Sequence, residues 1–356
     1  MAPMFVPGPV DVDVEVLNAQ SRAMLPHRSE EFETIYRRAS EKAKQLFQTE
    51  APILIATCSG TGLQEAAIRN LAKQSVLSCV NGAFSQRWFE VARSNGKQAE
   101  LLEVEWGQPI TPQKIAKALQ GKNFEMVTLV HNETSTGVLN PIEQIAALVH
   151  QVSPDTIICI DAVSSLGGIP IKMDAWGLDM VLTSSQKCLA LPPGLALAAV
   201  SDRALNYAKE VPDRGWYFDL IRMETHRNKD STPATPAMSL IFALDLQLDR
   251  ILKEGLENRF SRHKAMAELV QSWVKAKGFQ ILAEEGYRSL TVTTVSNSLN
   301  LDIAALNAFL LAKDMRIAEG YGKLKNHSFR IAHMGETQLA DIQELLSALD
   351  EFIAQK

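Results

Sequence analysis

Leu178-Asp179-Met180-Val181-Leu182 followed by Thr183-Ser184-Ser185-Gln186-Lys187 sets an apolar run directly before a lysine. Such a run reads as a buried strand, and the lysine then stands at its carboxyl end, where α/β enzymes build their sites. Upstream, Thr156-Ile157-Ile158-Cys159-Ile160 ends in Asp161 in the same way. Working outward, apolar β-rich runs at 53–58, 76–80, 99–104, 126–131, 156–161, 179–184 and 195–200 alternate with helical patterns at 62–73, 85–94, 112–119 and 142–152. Strands separated by helices predict an α/β fold with a mostly parallel, doubly wound sheet. Asn81-Gly82, Ser94-Asn95-Gly96 and Asn140-Pro141 supply the turns between them.

The pattern changes after about residue 240. Long amphipathic helices are predicted at 240–254 and 256–276, with Gly255 between them and Gly278 closing the second. Strands at 290–295 and 328–332 and helices at 302–313 and 337–354 follow. This mixed order predicts a large domain over 21–250 and a smaller α+β domain over 251–356, preceded by an N-terminal segment, 1–20.

Composition narrows the function classes. The 356 residues are 46% hydrophobic and 22% charged, with a formal charge of -5. That balance carries no basic footprint for nucleic acid. The start, Met1-Ala2-Pro3-Met4-Phe5-Val6-Pro7, lacks the charged-then-apolar plan of a signal peptide. The apolar stretch 188–200 is too short for a membrane span and is broken by Pro192, Pro193 and Gly194. Cys58, Cys79, Cys159 and Cys188 form no CxxC and fall on or beside predicted strands. Buried free thiols and a cytoplasmic location are expected.

Cys58-Ser59-Gly60-Thr61-Gly62-Leu63-Gln64-Glu65 joins a strand to a helix. Glycines let backbone approach a ligand, and a helix N-terminus offers N–H groups to an anion. A tight turn with a Ser/Thr cap accounts for the same residues, and neither GK[ST] nor GxGxxG is present. Lys187 reads either as a solvated charge or as a desolvated nucleophile. Asp161 reads either as the cap of the turn Ala162-Val163-Ser164-Ser165 or as a buried carboxylate. Glycine loop, aspartate and lysine in this order point to pyridoxal phosphate (PLP), whose chemistry needs an amine for a Schiff base and a carboxylate at the pyridinium nitrogen.

Further motifs run in order along nearly the whole chain. They are Pro7-Gly8-Pro9, His27-Arg28-Ser29, Ser59-Gly60-Thr61-Gly62 and Asn81-Gly82-Ala83-Phe84-Ser85-Gln86-Arg87-Trp88. His131-Asn132-Glu133-Thr134-Ser135-Thr136-Gly137, Asp161-Ala162-Val163-Ser164-Ser165-Leu166-Gly167-Gly168 and Ser184-Ser185-Gln186-Lys187 follow. Pro192-Pro193-Gly194, Thr232-Pro233-Ala234-Thr235-Pro236 and Phe329-Arg330-Ile331-Ala332-His333-Met334-Gly335 complete the set. Together they resemble the class V aminotransferases of PLP fold type I, in the alanine/serine–glyoxylate (serine–pyruvate) group.

The resemblance implies roles. Lys187 would carry PLP as a Schiff base and shuttle the α-proton, with Asp161 at the ring nitrogen. Phe84 would stack on the ring, and Thr134 would reach its hydroxyl. Gly60, Thr61, Gly62 and Gln186 would hold the phosphate, joined by Thr232 and Thr235 from the partner of a homodimer. Arg330 would grip the substrate α-carboxylate, a task that suits a planar guanidinium. The N-terminal segment, through Gly8 and Pro9, would line the substrate pocket. The implied reaction is ping-pong transamination from serine or alanine to glyoxylate or pyruvate. A single motif-placed arginine favours such small neutral donors over aspartate. A phosphoserine aminotransferase-like enzyme and a non-catalytic PLP-binding subunit are the alternatives. Three departures stand out: Leu63 replaces a histidine of some relatives, Thr232 a tyrosine of some, and Glu319-Gly320-Tyr321-Gly322 a glycine-rich loop.

Overall fold

A computed structural model describes residues 3–355. Ile53–Ala56, Ala196–Val200, Met180–Ser184, Ile157–Asp161, Met126–Val130, Ser75–Val80 and Gln98–Glu103 lie side by side in that order as one seven-stranded sheet. From Met180–Ser184 to Gln98–Glu103 every pairing is parallel. Ala196–Val200 runs antiparallel to both neighbours. No helix separates it from Met180–Ser184, and a parallel return would need a longer crossover. The central strands are buried along their whole length, as a sheet covered by helices on both faces requires. Gln98–Glu103 forms the edge, half exposed, with Glu100 and Glu103 discouraging pairing with another chain.

Two helices start earlier than their sequence pattern predicts, at Gly60 and Ala83. Gly60 and Thr61 carry no apolar signal that would extend the first pattern, whereas Phe84 carries one, so the late start predicted for the second helix is not imposed by the sequence. The sequence reading assigns no element to 30–47, where the structure forms the helix Glu30–Phe47. Ser29 Oγ caps it by accepting from the Phe32 N–H, and Phe32, Ile35, Tyr36, Ala39 and Ala43 form its buried face. That face packs against the helix Met238–Glu254.

A second, five-stranded sheet has the order Met4–Phe5, Arg316–Glu319, Ser328–Ala332, Val292–Ser296 and Gln280–Ile281. Met4 pairs with Arg316, so the start of the chain completes the C-terminal sheet. The segment then crosses to the large sheet, where the Val10 N–H donates to the Gln186 carbonyl at 3.1 Å. All four cysteines are free; Cys79, Cys159 and Cys188 are buried, whereas Cys58 is only partly covered, against the expectation of four buried thiols. Among the described residues no helix is long and apolar enough to cross a membrane.

Three buried histidines make stability depend on pH: His263, whose ring burial holds well below its ordinary value, and two more. His131 faces the Ser165 hydroxyl, and His333 is held between Leu290 O and Thr293 Oγ1. Burial pushes each of these two rings down to about 4 from the ordinary 6.5. The unfolded chain therefore takes up their protons between about pH 6.5 and 4 while the folded chain does not, so stability falls as pH drops through that window. Each contributes a loss on the order of 3 kcal/mol, at about 1.4 kcal/mol per unit. Denaturant unfolding between pH 7 and 4.5 is expected to show the decline, and His333→Asn to flatten it.

Candidate active site

The carboxyl ends of the parallel strands deliver one cleft with a cavity volume of about 150 Å³. Ile53–Ala56 leads to Ser59, Gly60 and Thr61; Ser75–Val80 leads to Phe84 and Arg87; Met126–Val130 leads to Asn132 and Thr134. Ile157–Asp161 ends in Asp161, and Met180–Ser184 leads to Gln186 and Lys187.

Lys187 is 6% exposed, a rare state for a lysine. Its Nζ donates to Thr134 Oγ1 at 2.9 Å and to Ser164 Oγ at 2.7 Å, and lies 4.7 Å from the centre of the Phe84 ring. Burial pulls the amine down to about 8, although Asp161 and Glu133 pull it back up. The partly deprotonated amine is a competent nucleophile near neutral pH. Asp161 accepts from Gln64 Nε2 at 2.7 Å and from the Val163 N–H at 2.8 Å. Burial raises its pKa, against the Val163 N–H, Lys187 and Gln64. Such a carboxylate is poised to gain from a cation placed beside it.

Around this pair, the helix Gly60–Leu71 points its N-terminal N–H groups at the cleft. Its approach is close, since a Cβ at Gly60 would stand 2.7 Å from Val163 Cγ2. The helix Ala83–Ser94, which carries Phe84 and Arg87, is anchored by Glu133. This fully buried carboxylate accepts from the N–H of Phe84 at 3.3 Å and of Ser85 at 2.9 Å. It also accepts from the Ser135 hydroxyl at 2.7 Å. A Cβ at position 82 would meet Glu133 Cγ at 2.3 Å, so only glycine lets this anchor form. Arg330 Nε donates to Glu319 O at 3.0 Å, and its Nη1 donates to Thr134 O at 3.5 Å. Burial pushes this guanidinium down to about 10, with Tyr321 and Glu133 opposing.

Of the residues singled out from the sequence, Gly60, Thr61, Phe84, Thr134, Asp161, Gln186 and Lys187 line the cleft together. Arg330 reaches it through the Thr134 carbonyl. Gly8 packs on the lysine: a Cβ there would lie 2.8 Å from Lys187 Cγ. Pro9 follows in the same crossing segment. Gly62 lies behind the cleft, against Cys58 and Phe218. Thr232 and Thr235 stand elsewhere in this chain, lining a separate depression with Ile55, Tyr217 and Met223. Sequence reasoning missed Gln64, Ser164, Glu133 and Arg87 as site residues. Only Gln64 carried a local signal, one helical turn beyond Gly60 and so on the same face.

The residues fit pyridoxal phosphate. Ser184 Oγ, Asn132 Oδ1 and Gln64 Oε1 are buried in cleft-lining residues without a hydrogen-bond partner in the protein, a state that calls for a polar ligand. The amine, the carboxylate, an aromatic face and a helix N-terminus stand around one space.

Residues 14–321 match the family described as Aminotransferase class-V. The soluble hydrogenase small subunit of Synechococcus sp. is 36% identical over 99% of this chain and 93% of its own length. The L-aspartate–glyoxylate aminotransferase of Paracoccus denitrificans is 32% identical over 94% of this chain and 86% of its own. Among solved structures, the alanine–glyoxylate aminotransferase from Nostoc sp. superposes with a TM-score of 0.93 at 28% identity, covering 98% of this chain and 94% of that one.

Proposed function

Because this chain belongs to the class-V aminotransferases, and is thus an aminotransferase, we propose that it moves an amino group from a small neutral amino acid, serine or alanine, to glyoxylate or pyruvate. The observation that carries this reading is the desolvated Lys187 amine sharing one cleft with Asp161, with Arg330 beside it. Two of the similar proteins are named for glyoxylate, which supports that acceptor. The hydrogenase-subunit name of a third does not explain why a lysine and an aspartate are buried together.

In this reading PLP, when bound, supplies the electron sink that makes the substrate α-hydrogen acidic. Lys187 Nζ anchors the group and, once free, takes the α-proton and returns it in the reverse sense. Asp161, held by Gln64 and the Val163 N–H, provides the negative charge beside the ring nitrogen. The N–H groups at Gly60 and Thr61, the Thr61 hydroxyl and Gln186 would take the phosphate, whereas the Gly62 N–H, the third that the resemblance implies, is bonded to Ser59 O at 2.9 Å. Phe84 covers the ring and Thr134 meets its hydroxyl. Arg330 orients each substrate by its α-carboxylate, so donor and acceptor use the same clamp in turn, as a ping-pong scheme requires. A second copy of the chain would add Thr232 and Thr235 to the phosphate site.

Aspartate is the second reading. Arg87, a guanidinium on the cleft wall, favours it because a distal carboxylate would find a charge there. The test is a half-reaction screen that follows the cofactor's visible spectrum across amino acids. Serine or alanine is expected to convert it fastest; a clear preference for aspartate selects the second reading, and no conversion by any amino acid overturns both.

A further inference from the structure

Tyr321 sits where the sequence departs from a glycine-rich loop, and its contacts tie it to the cleft from three sides. Its ring stacks on Phe84, with centres 5.3 Å apart and planes at 27°. The Arg330 guanidinium lies 5.6 Å from the centre of the same ring. Arg87 Nη2 donates to the Tyr321 hydroxyl at 3.3 Å, while its Nη1 donates to Thr61 Oγ1 at 3.4 Å. One arginine thus braces the tyrosine against the turn that opens the helix Gly60–Leu71.

The loop is built to hold this pose. Gly320 has no room for a side chain, since a Cβ would stand 2.1 Å from Leu324 O and 2.5 Å from Ser328 Oγ. Gly322 has a φ of +58°, a conformation that favours glycine. Between them Tyr321 is the one residue of the turn that fills space beside Arg330 and Phe84. It remains 39% exposed, so its ring stands at the edge of the site and not in the core.

We propose that Tyr321 is a specificity-determining residue: its ring, braced by Arg87 and Arg330, forms the wall that restricts the substrate side chain to small groups. The proposal rests on the reading of Arg330 as the α-carboxylate clamp. A substrate held there by its carboxylate directs its side chain into space bounded by the neighbours of that guanidinium, and Tyr321 is the bulky one. A ring fixed by stacking and by two guanidiniums cannot swing aside as an isolated surface tyrosine would.

The test compares the PLP-loaded wild type with Tyr321→Ala and Tyr321→Phe. Half-reaction rates are measured for alanine, valine, phenylalanine and aspartate, and calorimetry measures binding of the unreactive carboxylates propionate and 3-phenylpropionate. In Tyr321→Ala the valine/alanine and phenylalanine/alanine ratios of kcat/KM are expected to rise about tenfold or more, the scale set by methylene-sized changes in a pocket. 3-Phenylpropionate should tighten relative to propionate. Tyr321→Phe keeps the ring and should keep the wild-type ratios. Unchanged ratios in Tyr321→Ala overturn the proposal, as does a gain confined to aspartate, which would trace to the charge of Arg87 and not to size. If no amino acid reacts at all, the aminotransferase reading of the substrates fails, while the calorimetric pair still decides the role of Tyr321.

Discussion

Lys187→Ala is expected to lower turnover by at least about 10²–10⁴-fold, the range that a positioned general base contributes. The amine donates to both the Thr134 and Ser164 hydroxyls and lies against the Phe84 face, a position that no other lysine among the described cleft-lining residues shares. In the wild type, borohydride should fix PLP covalently to the chain, and in the variant it should not, as read by protein mass. The pH dependence adds a second check. With the amine at about 8 instead of its ordinary 10.5, capture of PLP by the cofactor-free chain should accelerate as pH rises and level off above about 8. A midpoint above 10 would mean that burial does not tune this lysine.

The loss of activity should come without loss of fold. A base whose pKa is lowered by folding carries a penalty that is fully present below its folded pKa and vanishes above its unfolded one. For Lys187 that penalty is on the order of 3 kcal/mol at neutral pH, from a shift of 10.5 to about 8. Alanine removes it, and Thr134 and Ser164 still hydrogen-bond each other. The cofactor-free variant is therefore expected to melt no lower than the cofactor-free wild type. Turnover within tenfold of wild type, in a protein that still melts cooperatively, would exclude Lys187 from the reaction.

Asp161→Asn is expected to cost about 10²–10³-fold in kcat, the scale of removing one preorganised electrostatic partner from a dry site. The substitution keeps the volume: the amide oxygen accepts from the Val163 N–H as Oδ1 does, and the amide nitrogen in place of Oδ2 donates to the unpartnered Gln64 Oε1 once that amide turns over, so geometry survives while the charge does not. Asp161→Ala removes both, and it should bind PLP more weakly than Asp161→Asn, as measured by cofactor titration. Equal cofactor affinity in the two variants, with kcat intact in Asp161→Asn, would reduce Asp161 to a turn cap.

Most of the seven-stranded sheet was legible because its strands are continuous apolar runs ending in polar, glycine-rich loops. Met180–Ser184 and Ile157–Asp161 announce both a buried strand and the residue at its tip. The helix Glu30–Phe47 carries a clear apolar stripe, so its existence too is legible in the sequence. The N-terminal strand is different: two residues, Met4–Phe5, hold no periodicity, and only a partner more than three hundred positions away makes them a strand.

By itself the sequence determined the chemistry: an amine and a carboxylate at strand ends, a helix N-terminus for an anion and an arginine for a carboxylate. The amine and the carboxylate follow from residue type and local spacing; the helix N-terminus as an anion site and the arginine as a clamp follow from the resemblance to the aminotransferase family. The tertiary structure decided who meets whom. It turned Gln64 onto Asp161, buried Glu133 under the helix of Phe84, and laid Tyr321 across Phe84 and Arg330. Periodicity reports which face of an element is buried and says nothing of what covers it. Contacts between residues far apart in the chain come only from packing, and in this protein packing shapes the pocket around a reaction already written in the sequence.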